Sequence, residues 1–184
     1  MRVVRVLFAL LLVGIAGCQQ APQAPPPAAP LPGPSPKAYG TLAEVMRGIP
    51  FPNSNIILDT QTNDPAAKKP ADTKGGAATV VYANTYGGWQ QVENAARALS
   101  EAVNLIIIPG RKCENGLPVP LDQANFRKFA QGLADAGEAT YKAAKSKNLD
   151  AMVEVSGTIS DACLACHEKY RDVPEGKMRC VPVP

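Results

Sequence analysis

A five-residue stretch near the C-terminal end limits the folds open to this chain more than any other segment: Cys163-Leu164-Ala165-Cys166-His167. Residues three and four apart on an α-helix lie on the same face, so the two thiols and the imidazole would project together. Cys-x-x-Cys-His is typical of c-type haem attachment, in which two thioether bonds hold the porphyrin edge and the histidine binds the iron. The sequence therefore predicts one covalent haem c.

Other chemistries fit the same residues less well. A redox-active Cys-x-x-Cys pair needs a βαβ setting, and no such pattern surrounds the motif. A structural zinc site would use Cys163, Cys166, His167 and Cys180, but zinc ligands usually come as two spaced pairs on a turn or knuckle. An accidental match on an ordinary helix is the remaining alternative. Haem attachment accounts for the spacing best.

His167 is the single histidine of the chain, so no second imidazole can bind the opposite face of the iron. The sixth coordination position is left to a methionine, another side chain, a small ligand or nothing. The same count excludes an active site that needs a second histidine as a base, and a peroxidase-like enzyme would lack a distal histidine to move protons. We therefore expect a protein that is not an enzyme.

The N-terminal residues have the layout of a bacterial secretory signal. Two arginines precede an apolar run over residues 6–17, which is too short for a good membrane span. The run ends in Ile-Ala-Gly followed by Cys18, which resembles the lipobox of bacterial lipoproteins; ordinary secretion is the alternative. We expect a signal peptide over residues 1–17 and a lipid anchor on Cys18, at the periplasmic side of a bacterial membrane. Gln19 favours the outer membrane.

Residues 18–36 are expected to be a linker, because residues 21–36 contain eight prolines and cannot build a core. In polyproline II form, at about 3.1 Å per residue, this stretch would hold the next domain roughly 50 Å from its anchor. An unstructured leader without a spacing role is the alternative. Residues 37–184 then form one domain.

The mature chain is close to electrical neutrality. Removal of the signal peptide takes two arginines, leaving 17 positive side chains against 16 negative ones. No basic stripe is interleaved with aromatic residues, so we do not expect nucleic acid as a partner.

Helical periodicity recurs in four places between residues 37 and 184, and strand signals are scarce. This pattern predicts an all-α, antiparallel four-helix bundle with the haem near the end of the C-terminal helix. The apolar stripes are Leu42, Val45, Met46 and Ile49; Trp89, Val92, Ala96, Leu99, Val103 and Ile106; Phe126, Phe129, Leu133, Ala136, Thr140 and Ala143; and Met152, Val155, Ile159 and Ala162.

The helix boundaries are predicted from caps and breakers. Pro50 and Pro52 are expected to interrupt the first helix, which resumes after Asn53 or Ser54 as a cap. The third helix is expected to begin after a capping Asp122, and the fourth near Asn148.

Two cysteines remain after Cys18 and the haem pair are assigned. In an up-down-up-down bundle, the loop that holds Cys113 and the segment after the fourth helix, which holds Cys180, share one end. An oxidising compartment would join them, so we expect a Cys113–Cys180 disulfide. Two free thiols are the alternative.

The same topology predicts the second iron ligand. His167 lies about five residues, or roughly 8 Å, from that end of the bundle, and Met46 lies about seven residues, or roughly 10 Å, from it. A thioether opposite a histidine can bind haem iron and raises its potential. We expect Met46 to be this ligand; a core filler is the alternative, Met178 stays open, and Met152 is about four turns away. The expected pocket walls are Phe126, Phe129, Leu99 and Val103.

A helical bundle whose Cys-x-x-Cys-His motif continues as Glu-Lys-Tyr-Arg over residues 168–171 resembles the cytochrome c-prime superfamily. The likeness covers about residues 38–175, and its specific part is the haem-binding segment. The resemblance implies that five-coordinate members bind small gases, whereas low-spin members take a methionine from the first helix and transfer electrons. Met46 matches the latter position. The resemblance also implies a homodimer, because relatives often pair through their first two helices.

These observations together predict a lipid-anchored monohaem c-type cytochrome that transfers electrons outside the cytoplasm. His167 and Met46 are the expected iron ligands, and the membrane and redox proteins are the expected partners. The alternative is a five-coordinate haem protein that binds NO or CO at an open distal position.

Overall fold

The computed structural model describes residues 35–67, 85–175 and 177–182. This part of the chain is all-helical, as predicted, and is compatible with a helical bundle. The signal peptide, Cys18 and nearly all of the linker lie outside the described residues. Within the described ranges, no helix is both long and apolar enough to cross a membrane. The helices are α1 (Leu42–Gly48), α2 (Pro50–Asp59), α3 (Trp89–Ile106), α4 (Ala124–Ser146) and α5 (Leu149–Tyr170).

The core lies where α3 and α4 pack against each other and against their neighbours. Helix α4 contacts both α3 and α5, and α2 contacts α3 and α5. The stripes predicted for α3 and α4 are largely buried, because apolar residues at helical spacing turn one face inward. The largest fully buried apolar side chains are Phe126, Ile57, Leu99, Met152 and Ile159.

The break in the first helix is a single residue, Ile49, which separates α1 from α2. The expectation that the helix resumes after Asn53 or Ser54 is wrong, because α2 already begins at Pro50, with Ile49 as its N-cap. Proline is well tolerated in the first turn, since its missing N–H would have had no helical partner there and its φ already suits a helix.

The N-terminal ends of α4 and α5 test the two other cap predictions. Helix α5 begins as predicted: Asn148 is its N-cap, and the Asn148 Oδ1 accepts a hydrogen bond from the Ala151 N–H at 3.1 Å. Helix α4 begins one residue later than predicted, with Gln123 as N-cap instead of Asp122, and no side chain caps it.

Cys113 and Cys180 lie at disulfide distance, with their Cα atoms 6.5 Å apart. This confirms the predicted pair. It ties the loop between α3 and α4 to the segment that follows α5. Cys163 and Cys166 are free thiols.

Helices α3 and α4 approach each other closely at Gly137. A Cβ atom at this position would lie 2.9 Å from the Ser100 backbone nitrogen and 3.0 Å from the Ala96 carbonyl oxygen. Both neighbours are backbone atoms of α3, which cannot move aside as a flexible side chain does. Glycine is therefore required here for helix packing.

We expect Gly137→Ala to lower the free energy of unfolding by about 1–3 kcal/mol, because the added methyl overpacks the interface. The matched control is Gly132→Ala in the same helix, where a Cβ meets nothing within 4 Å. The control should raise stability by about 0.5–1 kcal/mol, because alanine favours the helix. Urea unfolding measures both changes, and equal stabilities of the two variants would contradict the prediction.

Candidate functional site

A cavity of about 790 Å³ lies between α1, α2, α4 and α5. Its size is within the roughly 300–1,000 Å³ that is usual for small-molecule and cofactor sites. The four predicted cofactor-binding residues all line it: Cys163, Cys166 and His167 from α5, and Met46 from α1. The structure therefore brings together the residues that the sequence assigned to one haem.

The C-terminal end of α5 presents the motif to the cavity. Cys163, Cys166 and His167 lie in its last two turns, and each is half-buried. The helix ends just beyond them, where the His167 carbonyl accepts hydrogen bonds from the N–H groups of Arg171 and Asp172, at 2.8 and 2.7 Å. These contacts close the last turn and hold the backbone of His167 in place.

Tyr170 anchors this end of α5 against α4. The ring is buried, and its hydroxyl donates a hydrogen bond to the Asn125 Oδ1 at 2.6 Å. It also makes edge-to-face contacts with Phe126 and Phe129, whose ring centroids lie 5.2 and 6.4 Å away. A buried tyrosine with a satisfied hydroxyl fixes helix orientation as well as adding apolar contact. In the sequence, this tyrosine was notable only as part of the segment that resembles a known family.

The environment keeps the motif side chains uncharged at neutral pH. Burial raises the pKa of the Cys163 thiol, against the opposing effect of Arg171. Burial, reinforced by Cys163, raises the pKa of Cys166 to about 11. Burial lowers the pKa of His167, Arg171 lowers it further, and Asp172 raises it in part. A neutral imidazole keeps a lone pair available for a metal ion.

The raised thiol pKa gives a testable pH dependence in the haem-free chain. Thiolate is the reactive form, and a pKa of about 11 instead of 9.0 lowers the thiolate fraction of Cys166 near pH 8 by about 100-fold. Because a more basic thiolate is also a better nucleophile, we expect alkylation there to be slower by about tenfold. Because the folded-state pKa is raised, the rate should keep rising up to about pH 11. Mass spectrometry of the alkylated protein measures this, and a rate that levels off by pH 9 would contradict it.

Met46 shares the cavity with His167. It is half-buried and lines the cavity together with Leu42, one turn earlier in α1. Met152 is fully buried in α5, Met178 is 59% exposed, and neither lines the cavity. Among the methionines in the described ranges, Met46 alone lines the cavity that contains His167.

The cavity walls were predicted in part. Phe126 and Phe129 line the cavity, as expected, together with Leu133. The expectation for Leu99 and Val103 is wrong: both are buried in the core, because the cavity lies nearer the C-terminal end of α3.

Helix α2 supplies a wall that was missed, made of Pro50, Phe51, Ser54, Asn55 and Leu58. The spacing of these residues marks one helical face. A helix that starts at Pro50 would have revealed this face in the sequence.

The charged residues that line the cavity are three arginines and one glutamate. Arg47 forms an ion pair with Glu114 at 3.0 Å, and Arg179 approaches the same carboxylate at 3.8 Å. Arg171 is paired with Asp172 at 2.7 Å. These pairs are largely exposed, so each contributes little to stability.

The donor set fits haem c better than zinc. Cys180 is paired with Cys113, so the zinc alternative loses its fourth ligand. No cluster of three or more histidine, cysteine or acidic side chains is placed to hold a metal ion in the part of the chain that the structure describes. Haem c needs only two thiols, one imidazole and an apolar cavity, and the structure has all of these.

Comparison of the chain with protein-family models, with curated proteins and with solved structures finds no match.

Proposed function

We propose that this chain is a monohaem c-type cytochrome that carries electrons outside the cytoplasm. The observation that carries the proposal is the meeting of Cys163, Cys166, His167 and Met46 on one largely apolar cavity. The likeness of residues 166–171 to the cytochrome c-prime superfamily supports the same conclusion, and the proposal includes that superfamily's antiparallel four-helix topology.

Each of these side chains has a separate task in the proposed site. Cys163 and Cys166 hold the porphyrin through thioether bonds, and His167 and Met46 bind the iron. Haem c, when bound, supplies a one-electron couple between ferric and ferrous iron. The apolar walls, with Phe126 among them, limit the access of water to the metal and thereby help to set its potential.

The proposed location follows from the N-terminal residues and the cysteines. The signal peptide over residues 1–17 and the lipid anchor on Cys18 place the protein at the periplasmic side of a bacterial membrane, with residues 18–36 as linker. The disulfide-distance pair supports an oxidising compartment. We expect redox proteins and the membrane as partners.

The test is to express the full chain in a bacterium that can mature c-type cytochromes and to measure absorption and mass. We expect added haem mass that survives denaturation, a low-spin ferric spectrum and reversible reduction. A colourless chain without added mass would overturn the proposal.

The geometry of α1 favours a second candidate, a five-coordinate haem protein that binds NO or CO. None of the seven residues of α1 is fully buried, and only Leu42, Val45 and Met46 pack against the core, so the helix that carries Met46 is held less firmly than the longer helices. Rapid mixing of the ferrous protein with CO separates the two functions. A rate that rises linearly with CO indicates an open site, whereas a limiting rate independent of CO indicates displacement of Met46.

A further inference from the structure

Arg111 is a buried cation that joins the end of α3 to the start of α1. Its side chain is only 4% exposed. The Nε atom donates a hydrogen bond to the Leu105 carbonyl, in the last turn of α3, at 2.7 Å. The Nη1 atom donates to the Gly40 carbonyl, just before α1, at 2.6 Å. Charge-assisted hydrogen bonds in a buried setting are among the stronger polar contacts in proteins.

The residues after Arg111 continue this connection along α1. The Leu42 N–H, at the first residue of α1, donates to the Lys112 carbonyl at 2.8 Å. Near the other end of the helix, Arg47 donates to Glu114 at 3.0 Å. The 111–114 segment therefore contacts α1 before its start, at its first residue and near its last.

The same segment is connected to the helix that carries the motif. Cys113 is paired with Cys180, and the Cys180 N–H donates to the Tyr170 carbonyl at 2.8 Å. Tyr170 is the last residue of α5, one turn after His167. The 111–114 segment thus connects the helix of Met46 to the end of the helix of His167.

Helix α1 has few other strong contacts. It is seven residues long and none of them is fully buried, although Leu42, Val45 and Met46 are half-buried and pack against the core. So short a helix is not stable on its own, and the contacts at its ends therefore help to set its position. Of the contacts at its start, those of Arg111 are the ones made from the protein interior.

We propose that Arg111 is a positioning residue that sets the place of Met46 opposite His167. This inference rests on the proposed function, because it concerns the second iron ligand. The planar guanidinium reaches two carbonyls on different elements at once, which the single ammonium group of a lysine does not reproduce. Without Arg111, the start of α1 is released and Met46 moves out of reach of the iron.

The test compares Arg111→Met and Arg111→Lys with Arg97→Met in the full holoprotein. Arg97 is the matched control, because it is an arginine of α3 whose partners both belong to α4: it pairs with Glu138 and lies over the Tyr141 ring at 4.1 Å. We expect the unmutated protein and the control to stay low-spin in the ferric state. Arg111→Met should lose more than about half of the low-spin signal. A folded Arg111→Met holoprotein that stays fully low-spin would overturn the proposal.

A second readout separates this proposal from the proposed function. Amide hydrogen exchange of residues 42–48 is measured on the same proteins, with or without haem. In Arg111→Met we expect roughly tenfold faster exchange there, with the rest of the bundle and the control unchanged.

If the unmutated protein lacks haem or is already high-spin, the proposed function fails and exchange alone decides the positioning role. Unchanged exchange in α1 then refutes it. If Arg111→Met does not fold, Arg111→Lys serves for both readouts, with a smaller change in the same direction.

Discussion

Replacing both motif cysteines, Cys163→Ala and Cys166→Ala, is expected to abolish covalent haem attachment completely. Each thioether bond needs a thiol sulfur, and these two thiols are free and lie on the cavity. His167 would then be left as the residue of α5 that can hold the iron, through a bond that denaturation breaks. Mass spectrometry of the denatured variant, matured alongside the parent chain, should show the mass of the polypeptide alone.

The matched control removes the other cysteine pair, with Cys113→Ala and Cys180→Ala. These residues also line the cavity, so the control tests whether any loss of cysteine disturbs the site. We expect this variant to keep covalent haem but to be less stable by up to about 4 kcal/mol, given the sequence separation of 67 residues. Covalent haem in the motif variant would refute the assignment. If the parent chain instead binds zinc and the motif variant does not, the motif is a zinc site and the haem assignment is wrong.

Long, strongly periodic segments made most of the fold predictable. Helices α3, α4 and α5 were predictable because their apolar residues recur at helical spacing and lie on one face. The Asn148 cap was predictable because an asparagine side chain can accept a hydrogen bond from the first turn of a helix. The Cys113–Cys180 pair was predictable because the chain has five cysteines, and assigning one to the lipid anchor and two to haem leaves two. These inferences need only spacing, counting and the order of elements along the chain.

The remaining features depend on contacts that spacing does not encode. Pro50 was interpreted as a breaker, although a proline in the first turn of a helix is equally compatible with the chain. Gly137 is required by the backbone of a different helix. Arg111 is one arginine in a loop, and its burial and its carbonyl partners become visible only when α1 and α3 are placed together.

Of the candidate site, the motif and Met46 were predictable, whereas the shape of the cavity was not. Leu99 and Val103 share the correct helix face but lie too far from the cavity. Where a cavity lies along a helix depends on how neighbouring helices are staggered. A periodic pattern specifies which face is buried, not the level at which a cofactor is placed.

Met46→Ala is expected to change the ferric haem from low-spin to high-spin and to lower its reduction potential. A thioether is a strong enough ligand to keep the iron low-spin, and it favours the ferrous state because its sulfur is a soft and weakly basic donor. Alanine has no donor atom, so water or nothing takes the position. Axial ligands tune haem potentials over about 0.8 V, and we expect a fall on the order of 0.1 V or more. Absorption and electron paramagnetic resonance spectra with a redox titration measure these changes.

The control for this change is Met178→Ala, which removes a methionine that is 59% exposed and does not line the cavity. It should keep the spectrum and potential of the parent chain.

A low-spin Met46→Ala protein would contradict the ligand assignment and would mean that another side chain binds the iron. A parent chain that is already high-spin, with Met46→Ala unchanged, would instead favour the gas-binding function. Helix α1 has no fully buried residue, so an iron–sulfur bond would add to the contacts at its ends that hold it in place. Met46→Ala should therefore also speed amide exchange in residues 42–48, which links the ligand to the fold around it.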